Sequence, residues 1–432
     1  MDSADRALSE LAVNGGPKAR RKPWPERGHV GREEKAAVDA LFDRTIRTGR
    51  MFEYNGEPEE AFCRQFAAFM GGGFADAVNS GTSAVYVALR ALEPAPFSEI
   101  IVGPITDPGG LMPVPLMNCI PVIPDAAPGS YSPGPEQIEA CITPRTSAIV
   151  VAHIFGEPAD MPGILELARR HNLPVVEDCA QAHGARLDGK LLGTFGDVAA
   201  FSTMFGKHFN TGGQGGMVYT PSEDRYWKCR RYSDRGKPFG LAEGRSNVAA
   251  SMNLNLNDLS SVIGSAQLRK LPGIVERRRS VVRRVSQGIS GLTTVRVPRL
   301  LPGAEPSYWF WRLEVRTENL TVDKAAYCKA LEAEGVLFMP DYGHLPHQQE
   351  WYRNRQVFGR PGYPWTAAEY TGDRDRSFPC PNARAAAERC INLTIHESWG
   401  DRESQDLVRA LTKLDRAYAK GGEGARHSAR GG

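Results

Sequence analysis

The sequence lacks the usual marks of an oxidising, membrane-bound or nucleic-acid-binding protein. Its eight cysteines (63, 119, 141, 179, 229, 328, 380, 390) never approach CxxC spacing, which argues against a disulfide framework or a thiolate zinc site. No apolar run approaches the ~20 residues of a membrane span. The N-terminal stretch Met1-Asp2-Ser3-Ala4-Asp5-Arg6 is charged and has no signal-peptide core. The expected location is the cytoplasm. The formal net charge is only +3 over 432 residues, so nucleic acid is not an implied partner. Arg277-Arg278-Arg279 reads as a solvated helix face, and residues 18–22 as a flexible basic segment. There is no internal repeat and no long low-complexity stretch.

What is present is alternation. Residues 1–30 read as an arm broken by Asn14-Gly15-Gly16-Pro17 and Pro23-Trp24-Pro25. Helical periodicity covers residues 32–44 and 57–70. Short apolar runs at 75–78, 99–102, 121–123, 147–152, 173–176, 198–201 and 216–219 read as strands. Amphipathic segments at 83–92, 135–141 and 162–171 read as helices. The expected fold is α/β, with a mainly parallel seven-stranded sheet in a large domain over 31–273. The pattern changes at Leu271-Pro272-Gly273. A basic helix over 274–290, an aromatic strand over 308–315, and helices over 322–334 and 401–419 predict a smaller α+β domain over 274–420. The Gly/Ser/Arg-rich stretch 421–432 reads as a disordered tail.

Two strand ends carry the chemistry. Val175-Val176-Glu177-Asp178 ends an apolar run on an acid, and Gln181 follows. A second run ends on Ser202, five residues before Lys207 and its glycine-rich turn Thr211-Gly212-Gly213-Gln214-Gly215-Gly216. Ligands of open α/β sheets bind beyond the carboxyl ends of strands. Asn79-Ser80-Gly81-Thr82-Ser83 joins a strand to a helix and supplies the amides and hydroxyl of a phosphate cradle. Singly, each piece has a plainer reading: an N-cap, a capping carboxylate, a surface lysine. Their order (cradle, acid, hydroxyl, lysine) is what pyridoxal phosphate requires, with the acid for the pyridine nitrogen and the amine for the Schiff base.

On these residues the chain resembles the DegT/DnrJ/EryC1/StrS sugar aminotransferases, within the fold type I pyridoxal-phosphate enzymes. The motifs are Ser80 to Ala84, Glu177 to Ala185, Gly193-Thr194-Phe195-Gly196-Asp197, and Phe201-Ser202 through Lys207 to Gly216. Asn253 to Gly264, Tyr308-Trp309-Phe310-Trp311 and Cys390-Ile391-Asn392-Leu393 continue the match. The resemblance implies pyridoxal 5'-phosphate bound to Lys207 as a Schiff base, with Asp178 on the ring nitrogen and Gln181 at the 3-hydroxyl. It places Gly81, Thr82 and Ser202 at the phosphate. Asn253 would reach the neighbouring subunit's site in a homodimer. The implied reaction moves an amino group from glutamate or glutamine to a keto-sugar or keto-cyclitol. Three positions depart from the family pattern. Asp107 stands where an aromatic residue stacks on the cofactor, Asn255 replaces an arginine, and Gln214 replaces an acid. These keep open a dehydratase-like or carbon–carbon-bond reaction, or a non-catalytic cofactor-binding protein. A one-residue slip placing His208 in the pocket instead of Lys207 would favour the dehydratase.

Overall fold

Seven apolar runs line up as one sheet in the computed structural model, which describes residues 3–421. The strand order is Phe74–Val78, Gly216–Thr220, Val198–Ser202, Val175–Asp178, Thr146–Ala152, Glu99–Ile101, Ile120–Val122. Gly216–Thr220 pairs antiparallel with both of its neighbours. The remaining pairings are parallel. Both faces of the sheet are covered. Val175, Ile149 and Val151 pack into one core, while Val176, Ala148 and Val150 pack into the other. Strands buried on both sides read as continuous apolar runs, which is why they stand out in the sequence.

The smaller unit is built on the antiparallel sheet Val295–Arg296, Trp311–Val315, Cys390–Leu393, Phe338–Met339. The helix Asp401–Tyr418 lays Leu407, Ala410, Leu411 and Leu414 onto it at helical spacing. The aromatic strand is shorter than expected, because Tyr308 takes a left-handed backbone conformation (φ 53) that interrupts extension. Of the expected tail, all beyond Gly421 lies outside the described residues.

Three expectations change. The basic helix begins at Asp258, not near 274, and runs unbroken to Gly288. The domain border drawn at 273 therefore falls inside a helix. Pro272 removes a helical hydrogen bond, at a cost of about 3 kcal/mol. Burial of Leu268, Leu271 and Val275 against the large unit, and of Val281, Val282 and Val285 against the small one, offsets it. Arg278, in the middle of the expected solvated face, is 2% exposed and donates to Glu397 and to the carbonyls of Tyr308 and Trp309.

The arm is likewise not free. Leu11 is buried in the small unit's core, and Glu334 accepts from the amides of Ala12 and Ala19. Arg20, within the segment expected to be flexible, pairs with Asp406 at 2.8 Å. Trp24 stacks on Trp399 with ring centres 4.1 Å apart. The aromatic stretch after Tyr342 mainly covers the edge of the large sheet. Trp365 and Tyr370 pack on Ile120, and the Tyr370 hydroxyl donates to Glu99 at 2.9 Å.

Candidate active site

The carboxyl ends of the parallel strands open into a cavity of about 240 Å³. Gly81, Thr82, Asp178, Gln181, Ser202 and Lys207 all line it, joined by Asp107, His153 and Gln214. Asn253 does not. Its side chain is exposed and accepts from Asn255 Nδ2 at 2.7 Å. Lys207, not His208, faces the cavity. His208 is fully buried, with its ring nitrogens against the Ser307 carbonyl and His183.

The phosphate end is made by the helix Gly81–Ala91. Ser80 caps it by accepting from the Ser83 amide at 3.0 Å. The first-turn amides of Gly81 and Thr82 have no acceptor among the described residues, as the first turn of a helix dictates. A Cβ on Gly81 would fall 2.6 Å from Cβ of Ser202, so only glycine lets this turn approach that strand end.

Asp178 closes its strand beside Ala152 and Ala200. Its Oδ1 accepts from the Ala180 amide at 3.0 Å, and no donor among the described residues meets Oδ2. Burial raises its pKa above the usual carboxylate value, against the Ala180 hydrogen bond and the charge of Lys207. Gln181 is held at both ends: Oε1 accepts from the Phe155 amide at 2.8 Å, and Nε2 donates to the Tyr342 hydroxyl at 3.0 Å.

Lys207 is 6% exposed, and its Nζ lies 3.5 Å from the centre of the Trp309 ring. Burial lowers its pKa to about 8, opposed first by Asp107 and then by Asp178. Its turn is fixed from behind. Arg27 donates to the carbonyls of Gly206 and Lys207, and Trp309 Nε1 donates to Gly206 at 2.9 Å. Arg27 also pairs with Glu397, which Arg278 holds from the other side.

Sequence reasoning missed His153, Trp309 and Arg27 as parts of this assembly. His153 follows an apolar strand just as Asp178 does, so its position was a usable signal. Arg27 had none, because the Gly206 carbonyl and the Glu397 carboxylate it binds lie 179 and 370 residues away. His153, Glu177 and Cys179 bring possible metal-ligand atoms within 4.8 Å of one another. The set is already committed to other partners. Glu177 accepts from the amides of Gly193, Phe195 and Gly196, and His153 takes the Ala159 amide on Nδ1 and donates Nε2–H to Glu177.

The donor set fits pyridoxal phosphate. Free amides and two hydroxyls suit a phosphate, a carboxyl oxygen without a donor suits a protonated ring nitrogen, and an amine of lowered pKa suits a carbonyl. The comparisons agree. The model of the DegT/DnrJ/EryC1/StrS aminotransferase family matches residues 32–412. L-glutamine:2-deoxy-scyllo-inosose aminotransferase of Micromonospora echinospora is 30% identical, over 94% of this chain and 98% of its own length. L-glutamine:scyllo-inosose aminotransferase of Streptomyces griseus is 30% identical, over 94% and 97%. The X-ray structure of the aminotransferase from Psychrobacter cryohalolentis superposes with a TM-score of 0.78 at 26% identity, over 92% of this chain and 98% of that one. The chain belongs to the DegT/DnrJ/EryC1/StrS aminotransferase family, whose members are pyridoxal-phosphate enzymes.

Proposed function

We propose that this aminotransferase moves the amino group of glutamine or glutamate onto the keto carbon of a sugar or cyclitol, in the biosynthesis of an antibiotic or a polysaccharide. The observation that carries the reading is the meeting of Lys207, Asp178 and the Gly81 cradle in one cavity. Bound there, pyridoxal phosphate supplies an electron sink for the charge left when a proton leaves the substrate carbon. Lys207 holds the cofactor and, once released, carries that proton as base and then acid; its pKa near 8 suits both roles. Asp178 keeps the ring nitrogen protonated. Gly81, Thr82 and Ser202 anchor the phosphate, and Gln181, locked by Phe155 and Tyr342, meets the 3-hydroxyl side.

Asn253 is assigned to the site of a second copy, in a homodimer. Its exposure outside the cavity of its own chain supports this. A cytoplasmic location accords with eight unpaired cysteines. No helix among the described residues is long and apolar enough to cross a membrane.

The test is to mix the cofactor-loaded enzyme with glutamine or glutamate, follow the absorbance of the lysine-bound cofactor, and weigh the product after adding keto acceptors. Conversion by a donor, followed by an aminated sugar or cyclitol, is expected. A cofactor spectrum untouched by every common amino donor would overturn the proposal.

A further inference from the structure

The aromatic stretch after Tyr342 encloses a second cavity, of about 330 Å³. Arg353, Arg355, Arg376, His347, Tyr352 and Phe378 line it, and it shares no residue with the catalytic cavity. No carboxylate lines it. Its arginines are braced but not neutralised. Arg376 lies over Phe378, 5.4 Å from the ring centre, and gives two N–H groups to the Cys141 carbonyl at 3.4 Å. Arg355 lies over Trp365, 5.8 Å from the ring centre, and donates to the Arg374 carbonyl. Both are half-buried. Asp375, 4.0 Å from Arg355, is 99% exposed and is the one acid paired with any of the three among the described residues. Arg353 is exposed and pairs with none. A half-buried cation without a carboxylate has given up water and gained no counter-ion.

A second observation points the same way. Both ring nitrogens of His347 are buried and meet no partner among the described residues, and neither does the indole Nε1 of Trp351. These are three of the eight buried polar side-chain atoms left unmet there, so the want of a partner is concentrated at this segment. Burial, and then the charge of Arg384, lower the His347 pKa against Asp125. The neutral ring still carries one N–H that needs an acceptor. Tyr352 donates its hydroxyl to the Pro121 carbonyl at 3.3 Å, and its ring and that of Phe378 form an apolar wall. The lining thus offers donors in excess and lacks acceptor oxygens. Guanidinium groups braced on aromatic faces suit an oxyanion. Three positive charges suit a phosphate, with up to two negative charges and three free oxygens, better than a single carboxylate. The volume leaves room for an attached carbon body.

We propose that this second cavity binds a phosphate ester. Arg353, Arg355 and Arg376 receive the phosphoryl oxygens, and the rings of Tyr352 and Phe378 flank the carbon body. The site is separate from the Gly81 cradle, and its existence does not depend on the transamination reading.

The experiment titrates the cofactor-loaded full chain, whose cradle is already filled, with inorganic phosphate, glucose 1-phosphate and glucose, by calorimetry. Both phosphates should bind, more weakly as salt is added, and glucose should not. Arg355→Ala and Arg376→Ala should each weaken glucose 1-phosphate binding by roughly 10- to 100-fold. Arg353→Glu reverses one charge at an exposed residue without a partner, so it leaves the packing intact and should weaken binding by about 10-fold or more. Binding of neither phosphate, glucose bound as tightly as glucose 1-phosphate, or unchanged affinity in all three variants each overturn the proposal. Amination of a keto acceptor with glucose 1-phosphate present separates two sources of the phosphate. Competition with the acceptor, lost in Arg353→Glu, makes the site the seat of the acceptor's own phosphate. Binding without competition makes the phosphate a separate ligand, and both results uphold the site.

Discussion

The Nη2 of Arg27 donates to the backbone carbonyl of Lys207 at 3.0 Å, so a residue from the arm holds the turn that carries this lysine. The same guanidinium reaches the Gly206 carbonyl and Glu397. Arg27→Ala strips a charged donor from two carbonyls while leaving Glu397 paired with Arg278. Unfolding free energy should fall by about 1–3 kcal/mol, with kcat reduced more than KM is raised. Urea denaturation and steady-state kinetics check this. Wild-type values for both would show that the contact positions nothing.

Lys207→Ala should lower amination by about 10²-fold or more, since the base and acid of the proton transfer are lost. Burial lowers the Lys207 pKa to about 8, so at neutral pH the charged amine costs the fold stability, and the variant should melt no lower than the wild type. Turnover measured beside a thermal melt separates the two effects. A variant with full activity would remove Lys207 from the mechanism.

Asp178→Asn should also abolish most activity, yet stabilise the cofactor-free protein at neutral pH. Burial raises the Asp178 pKa, so above its unfolded value of about 3.8 the ionised group destabilises the fold. Asparagine keeps the acceptor for the Ala180 amide and carries no charge. The advantage of the variant should shrink as pH falls toward 3.8, where the wild-type carboxyl takes up its proton. Denaturant titrations of stripped protein at two pH values read the sign directly. A less stable variant at pH 7 contradicts it.

Cofactor capture should depend on the unprotonated amine of Lys207. With a pKa of about 8, the attachment rate in stripped enzyme should climb as pH passes through 8 and then level off. Asp107 opposes the lowering, so Asp107→Asn should shift this profile to lower pH. Stopped-flow absorbance measures it. A shift to higher pH would reverse the assigned electrostatics.

Glu397→Gln should be among the most destabilising changes in the small unit. It leaves Arg278 buried without its carboxylate, at a cost of about 3–5 kcal/mol. Burial alone would raise the Glu397 pKa, but Arg278 and Arg27 outweigh it and hold the group at about 2. Its contribution to stability is therefore present above about 4.5 and drains away as pH falls toward 2. Calorimetry on both proteins from pH 7 to pH 3 should show the gap closing at the acid end.

The large sheet was legible because its strands are buried on both faces and are separated by turn residues. Asp178, Ser202 and Lys207 were legible because each follows an apolar run at a strand's carboxyl end. The helix through Pro272 was not. Local propensity favours a break there, and only contacts with two distant cores override it. Arg278 looked solvated because its neighbours Arg277 and Arg279 share its charge, while its partners Glu397 and the Tyr308 carbonyl are remote in sequence. Asn253 could not be placed from its own chain's geometry, because its side chain lies outside the cavity.

The helix Asp258–Gly288 plants its first half in the large unit and its second in the small one. It therefore acts as a shared axle. A rod that crosses the border leaves no hinge at 273, so a tilt of the small unit must carry Arg278 with it. Arg278 grips Glu397, Glu397 grips Arg27, and Arg27 grips the Lys207 carbonyl. One unbroken run of contacts thus ties the small unit to the turn that carries Lys207.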